Sequence, residues 1–157
     1  MAQSHAGAHT ASSIRLETAA RGFIAGFAAT LVFHQGMLSI LHSGGLAPTT
    51  VFDMQSTQPF GVPHIWSLAF WGGIWGIGFA WIVGHLPPGK VYWLDALVFG
   101  AVAPTLFAWF VVDPIKGSPL GNGWHAASIV TALLVNGAWG LGTGLFMRLG
   151  HERLQEA

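Results

Sequence analysis

Four long apolar segments decide what this chain can fold into. They are residues 22–42, "GFIAGFAATLVFHQGMLSILH", 65–85, "IWSLAFWGGIWGIGFAWIVGH", 92–112, "YWLDALVFGAVAPTLFAWFVV", and 126–147, "AASIVTALLVNGAWGLGTGLFM". Each is close to the ~20 residues that a helix needs to cross about 30 Å of hydrocarbon. Backbone groups in lipid must be satisfied within the segment, so such runs are helices and not open strands. The remainder cannot coat them against water. Only 8% of the 157 residues are charged and 52% are hydrophobic, whereas soluble domains carry roughly 25% charged residues. The expectation is an all-α fold, a bundle of four transmembrane helices.

Residues 1–18, "MAQSHAGAHTASSIRLET", are small and polar. They bury little apolar surface, and a mobile N-terminal tail is expected. The membrane domain then runs over 19–150, and 151–157 form a short C-terminal tail. The first apolar run is longer than the 7–15 residues of a signal peptide. With three similar runs behind it, it is read as retained. Basic residues set the orientation. Arg15, Arg21, Lys90, Arg148 and Arg153 fall on one side if both termini are cytoplasmic, and Lys116 alone falls on the other. The localisation that follows is the bacterial inner (cytoplasmic) membrane, multi-pass, with both termini inside. The loop 43–64, His42, Asp53, His64, Asp113 and His125 are then extracytoplasmic.

Helices two and four share short blocks. "HIWS" at His64 and "WGIG" at Trp75 are echoed by "HAAS" at His125 and "WGLG" at Trp139. A tandem repeat of two helical hairpins would produce this. So would chance, in a chain so rich in Gly, Trp and Ala, and both readings stay open.

Several function classes drop out. Six basic residues balance six acidic ones, so no basic surface points to nucleic acid. There is no cysteine, which removes disulfides, thiolate metal sites and a Cys nucleophile. No nucleotide-binding loop, G-x-S-x-G or H-E-x-x-H pattern occurs. No Asp, Glu, Lys or Arg lies near the middle of a span, which counts against ion-coupled transport, and no catalytic residue is assigned.

A polar side chain in lipid needs a partner. His34, Gln35, Thr105 and Asn136 form the intramembrane polar cluster. A His34–Asn136 hydrogen bond, with Gln35 or Thr105 beside it, is expected to join helices one and four. Such bonds contribute about 0.6 kcal/mol on average. The main role read for His34 is packing glue, and a ligand or proton-relay role is the alternative. Small residues mark helix contacts: Gly22 and Gly26, Gly72 and Gly76, Gly140 and Gly144 each lie four apart, which lets two backbones approach. Pro104 lacks an N–H and should disturb helix three.

His42, His64 and His125 sit at helix ends on the expected outer side. They are read as half-buried interface residues. Imidazole also ligates metals and haem, so a b-type haem or a metal site on these three is carried as an alternative, with no cofactor as the leading expectation.

The blocks "GFAATLVFHQG", "PFGVP", "LAFWGGIWGI" and "LLVNGAWGLGTG" resemble those of small uncharacterised bacterial four-helix inner-membrane proteins. The resemblance spans about residues 20–148. It implies the four-helix topology and brings no activity or site residue. Three functions remain. The first is a structural or accessory subunit that packs in the bilayer with itself, as a homo-oligomer, or with a larger membrane complex. The second is a small dimeric channel or carrier for a polar solute, lined by His34, Gln35, Thr105 and Asn136. The third is a haem-bearing electron-transfer protein.

Overall fold

The structure is a computed structural model that describes residues 2–87 and 89–155, with side chains over 15–83, 85–87 and 89–150. Most of the expected N-terminal tail, 1–14, and all of the expected C-terminal tail, 151–157, lie outside the described side chains. The chain forms four long helical elements. α1 is α-helical over Ala2–Ala29, π-helical over Thr30–His34 and α-helical again over Gln35–Ser43. α2 spans His64–Ile82. α3 is α-helical over Lys90–Phe107, π-helical over Ala108–Val112 and closes with Asp113–Ile115. α4 spans Ala126–Gln155. A two-stranded antiparallel ribbon, β1 (Ser56–Thr57) and β2 (Val62–Pro63), lies between α1 and α2.

Among the described residues, four helices are long and apolar enough to cross a membrane: Arg15–Ser43, His64–Ile82, Lys90–Ile115 and Ala126–Gly150. Their outer faces are apolar too. Ile24 is 67% exposed, Ile40 68% and Leu94 58%. A surface of this kind suits hydrocarbon, since in water it would be a large aggregation-prone patch.

Two seams hold the bundle, and both are made of glycine. α1 and α2 run antiparallel, with Gly22 opposite Gly76 and Gly26 opposite Gly72. A Cβ added at Gly76 would lie 2.1 Å from the Gly22 carbonyl oxygen, and one at Gly26 would lie 2.2 Å from that of Gly72. α3 and α4 meet in the same way. A Cβ at Gly140 would lie 2.2 Å from the Ala96 oxygen, and one at Gly100 would lie 2.5 Å from the Gly140 Cα. No side chain fits at these points, so backbone rests on backbone. Gly144 is looser, 3.3 Å from the Tyr92 ring by the same measure, and its carbonyl accepts the Tyr92 hydroxyl at 2.9 Å.

The two pairs are joined through α1 and α4. The buried Trp139 indole donates to the Gly26 carbonyl at 2.9 Å. Ala29, Phe79, Val83, Tyr92, Ala96 and Trp139 form the main core cluster. α2 and α3 meet differently. Their contact is between rings: Trp75 with Phe107 (5.6 Å between centroids), Phe79 with Phe99 (5.7 Å) and Trp75 with Phe99 (6.2 Å). Past these rings a cavity separates the two helices. Pro104 lies inside α3, and the π-helix begins four residues after it.

Candidate functional site: a cleft between α2 and α3

The cavity has a volume of about 490 Å³ and draws on all four helices. One wall is α2, from His64 and Ser67 at the mouth to Trp71 and Trp75. The other is α3, from Pro104 and Phe107 through Ala108 and Val112 to Lys116. Thr30 and His34 of α1 and Asn136 and Trp139 of α4 complete it, and Thr57 and Gln58 of the ribbon region also line it. Both π-helices border this space: Thr30 and His34 are the ends of one, and Ala108, Val111 and Val112 belong to the other. A π-turn inserts an extra residue and is frequent at functional sites.

The loop over the cleft is held by a small core, in which Ala47 is buried with Leu38, Leu41 and Val135 and Val51 packs against them, and by side-chain hydrogen bonds. Gln35 is buried, and its Oε1 accepts the backbone N–H of Phe52 at 2.8 Å. Phe52 is in the left-handed region, with φ of 51°, a conformation that a bulky residue adopts only where its surroundings enforce it. The next residue, Asp53, accepts the Ile65 N–H on its carbonyl at 2.9 Å and the Gln55 N–H on Oδ1 at 2.9 Å. Its Oδ2 lies 3.4 Å from His64 Nδ1. The Thr57 hydroxyl donates to the Val62 carbonyl at 2.8 Å. These bonds tie the ribbon to the first turn of α2 and set Thr57 and Gln58 beside the cavity.

Gln35 also fixes the chemistry of His34. Its Oε1 is occupied by a backbone donor, so its Nε2 is the donor toward His34 Nδ1, 3.4 Å away. The Nδ1 then accepts, and the neutral imidazole carries its proton on Nε2. His34 is also one of the residues that line the cavity.

The polar cluster divides in two. Asn136 Nδ2 donates to Thr105 Oγ1 at 2.8 Å, and the expected His34–Asn136 hydrogen bond is not formed. The reason is the glycine seam. Close approach at Gly100 and Gly140 brings α3 against α4, so Thr105 is in reach of Asn136, while the Trp139 indole fills the join between α1 and α4. His34 and Asn136 share the cavity and not a bond. Gln35 and Thr105 do not line it.

The outer histidines do not converge. His42 Nδ1 is 2.9 Å from the Ala47 carbonyl, His64 faces Asp53, and His125 is exposed ahead of α4. Among the described residues, no group of three or more His, Asp or Glu could hold a metal ion. A second, smaller groove of about 240 Å³ lies between α1 and α4, lined by Arg21, Ile24, Ala28, Phe146 and Met147. Its one charged residue, Arg21, is paired with Glu17.

Residue types alone did not single out Trp71, Trp75, Ser67 or Lys116 as cavity residues. The signal that could have found two of them is the repeated Trp-Gly step in "FWGGIWG", which sets a ring beside a bare backbone. No family model, no curated protein and no solved structure matches this chain.

Proposed function

We propose that the protein is a multi-pass protein of the bacterial inner membrane, with both termini cytoplasmic, that binds a small solute in this cleft from the extracytoplasmic side. The observation that carries it is the cavity, to which every helix contributes and which has polar groups along its length. Small-molecule sites are concave, mostly apolar and furnished with a few placed polar groups. Of the functions considered, this favours the solute carrier, with one change. The site lies within one protomer and needs no dimer to enclose it. The ring contacts of Trp75, Phe79, Phe99 and Phe107 close the gap between α2 and α3 below it, which corresponds to an outward-open state.

The basic residues support the orientation. Arg148 stacks over the Tyr92 ring at 4.3 Å and the Trp93 ring at 5.3 Å, an arrangement suited to the headgroup level. The tandem-hairpin origin is supported by the two antiparallel glycine seams and by the Trp-Gly steps, 75–76 and 139–140, that stand in them. A π-helix in the first member of each pair adds to this.

The chain has no cysteine, so single thiols can be introduced without background. Ser67→Cys in intact cells should react with a membrane-impermeant maleimide, and Thr143→Cys, fully buried at the α4 core, should not. Labelling of the first only after the membrane is permeabilised would sink the outward-facing cleft. A reduced-minus-oxidised spectrum with a sharp haem band would instead revive the electron-transfer role.

A further inference from the structure

We infer that the cleft takes a monoanionic carboxylate with an apolar body, a ligand class that rests on the solute-binding role proposed above. The lining has one sign of charge. Lys116 is at the cavity and no Asp or Glu is. Among the described residues, the ion pairs are Arg21–Glu17 and His64–Asp53, so the Lys116 ammonium has no carboxylate of its own. Lys116 is exposed at the rim, and a cation there, beside the apolar walls of the cleft, draws anions toward its mouth.

The neutral polar groups agree with that sign. His34 carries an N–H, for the reason given above. Asn136 uses one amide hydrogen on Thr105 and keeps a second. Carboxylate oxygens accept from both types of donor.

The remaining lining sets the body. Trp71, Trp75 and Phe107 give flat apolar faces, which match a ring or a short hydrocarbon chain. A cationic ligand could use those faces but would meet the Lys116 ammonium, while the Asp53 carboxylate beside the mouth is engaged by His64 and the Gln55 N–H. A dianion such as a phosphate monoester would bring a second charge for which no partner remains, because His64 already faces Asp53. One negative charge and one apolar group is the combination that matches Lys116 and the ring faces together.

Two sources present this chemistry: a soluble ring acid and a fatty acid drawn from the bilayer. Four probes separate the class and the source: cyclohexanecarboxylate, decanoate, cyclohexylmethanol and cyclohexylmethylamine. Each is added to full-length Ser67→Cys protein in zwitterionic nanodiscs, and the rate of maleimide labelling is read with the intrinsic Trp fluorescence. The two acids should protect the thiol, the alcohol should bind at least about tenfold more weakly, and the amine should not protect. Lys116 is exposed, so Lys116→Ala should leave the thermal midpoint in place. It should weaken the acids about tenfold and leave the alcohol unchanged. Decanoate binding more tightly than the ring acid indicates the bilayer source, and the reverse indicates the soluble one. Alcohol or amine binding as tight as the acids, or acid binding indifferent to Lys116→Ala, overturns the carboxylate class while the cleft stands. A Ser67→Cys thiol that labels readily and is protected by none of the four does the same. A thiol that never labels removes the cleft itself.

Discussion

α2 presents two neighbouring faces built from opposite materials. Toward α1 it offers Gly72 and Gly76, and backbone meets backbone with no room for a methyl group. Toward α3 it offers Trp71 and Trp75, and rings meet rings at centroid distances near 6 Å or stand beside empty space. One residue along a helix is about 100° of rotation, so each Trp-Gly step places both materials side by side. The lesson is about what can move. A backbone contact has a single fit and is lost if anything is added. A ring contact can slide or turn, and a space bordered by rings can change shape without breaking a hydrogen bond.

That contrast predicts different readouts for the two faces. The largest effect belongs to the seam. Gly76→Leu would drive a side chain into the Gly22 carbonyl, and it should cost about 3 kcal/mol, the upper part of the range for overpacked cores. A broad size-exclusion profile in mild detergent and a lowered thermal midpoint would register it. A monodisperse protein of unchanged midpoint would show that α1 and α2 do not touch there. Trp139→Phe comes next. It removes the indole donor to the Gly26 carbonyl and should cost about 1 kcal/mol, measured as a smaller fall in midpoint.

Asn136→Leu should cost about 0.6 kcal/mol, the mean for interhelical hydrogen bonds in lipid. Thr105→Val should add little to it, because the two share one bond. Additive losses would place the Asn136 partner elsewhere. Trp71→Ala should have the smallest effect on stability, within about 0.5 kcal/mol, because Trp71 is 53% exposed and borders the cavity. It should nevertheless change Ser67→Cys labelling. If Trp71→Ala destabilised as much as Gly76→Leu, the distinction between the two faces would collapse.

The four spans are readable from the sequence because length and hydropathy respond directly to the thickness of hydrocarbon. The glycine spacings at 22 and 26, 72 and 76, and at 140 point to places where backbones meet, because only Gly permits that approach. The cleft is a different matter. Each span is apolar on every side, so no polar stripe tells which face of α2 turns to α3. Lys116 stands alone in the sequence as the basic residue between the third and fourth spans, yet nothing local ties it to Trp71 or Asn136. Gln35 is legible as a polar group in a helix. Its partner, the N–H of Phe52, is a backbone group in a loop and leaves no trace in residue type. Position along the spans pairs Asn136 with His34 and does not reveal that the Gly100–Gly140 contact brings Thr105 nearer.

The π-turns in α1 and α3 have a consequence for how this chain tolerates lengthening and shortening. Each holds one residue more than the α-helical turn it replaces. Deleting a single residue within 108–112 should let α3 relax to a plain α-helix of nearly the same length. Both kinds of turn complete about one revolution, so everything beyond the deletion would keep its height and its bearing. Ile115 and Lys116 would stay at the cleft, and only the bulged wall at 108–112 would be lost. A one-residue deletion there should therefore leave folding and the outer third of the helix largely intact, whereas a one-residue deletion in the α-helical stretch before Pro104 would turn everything beyond it by about 100°.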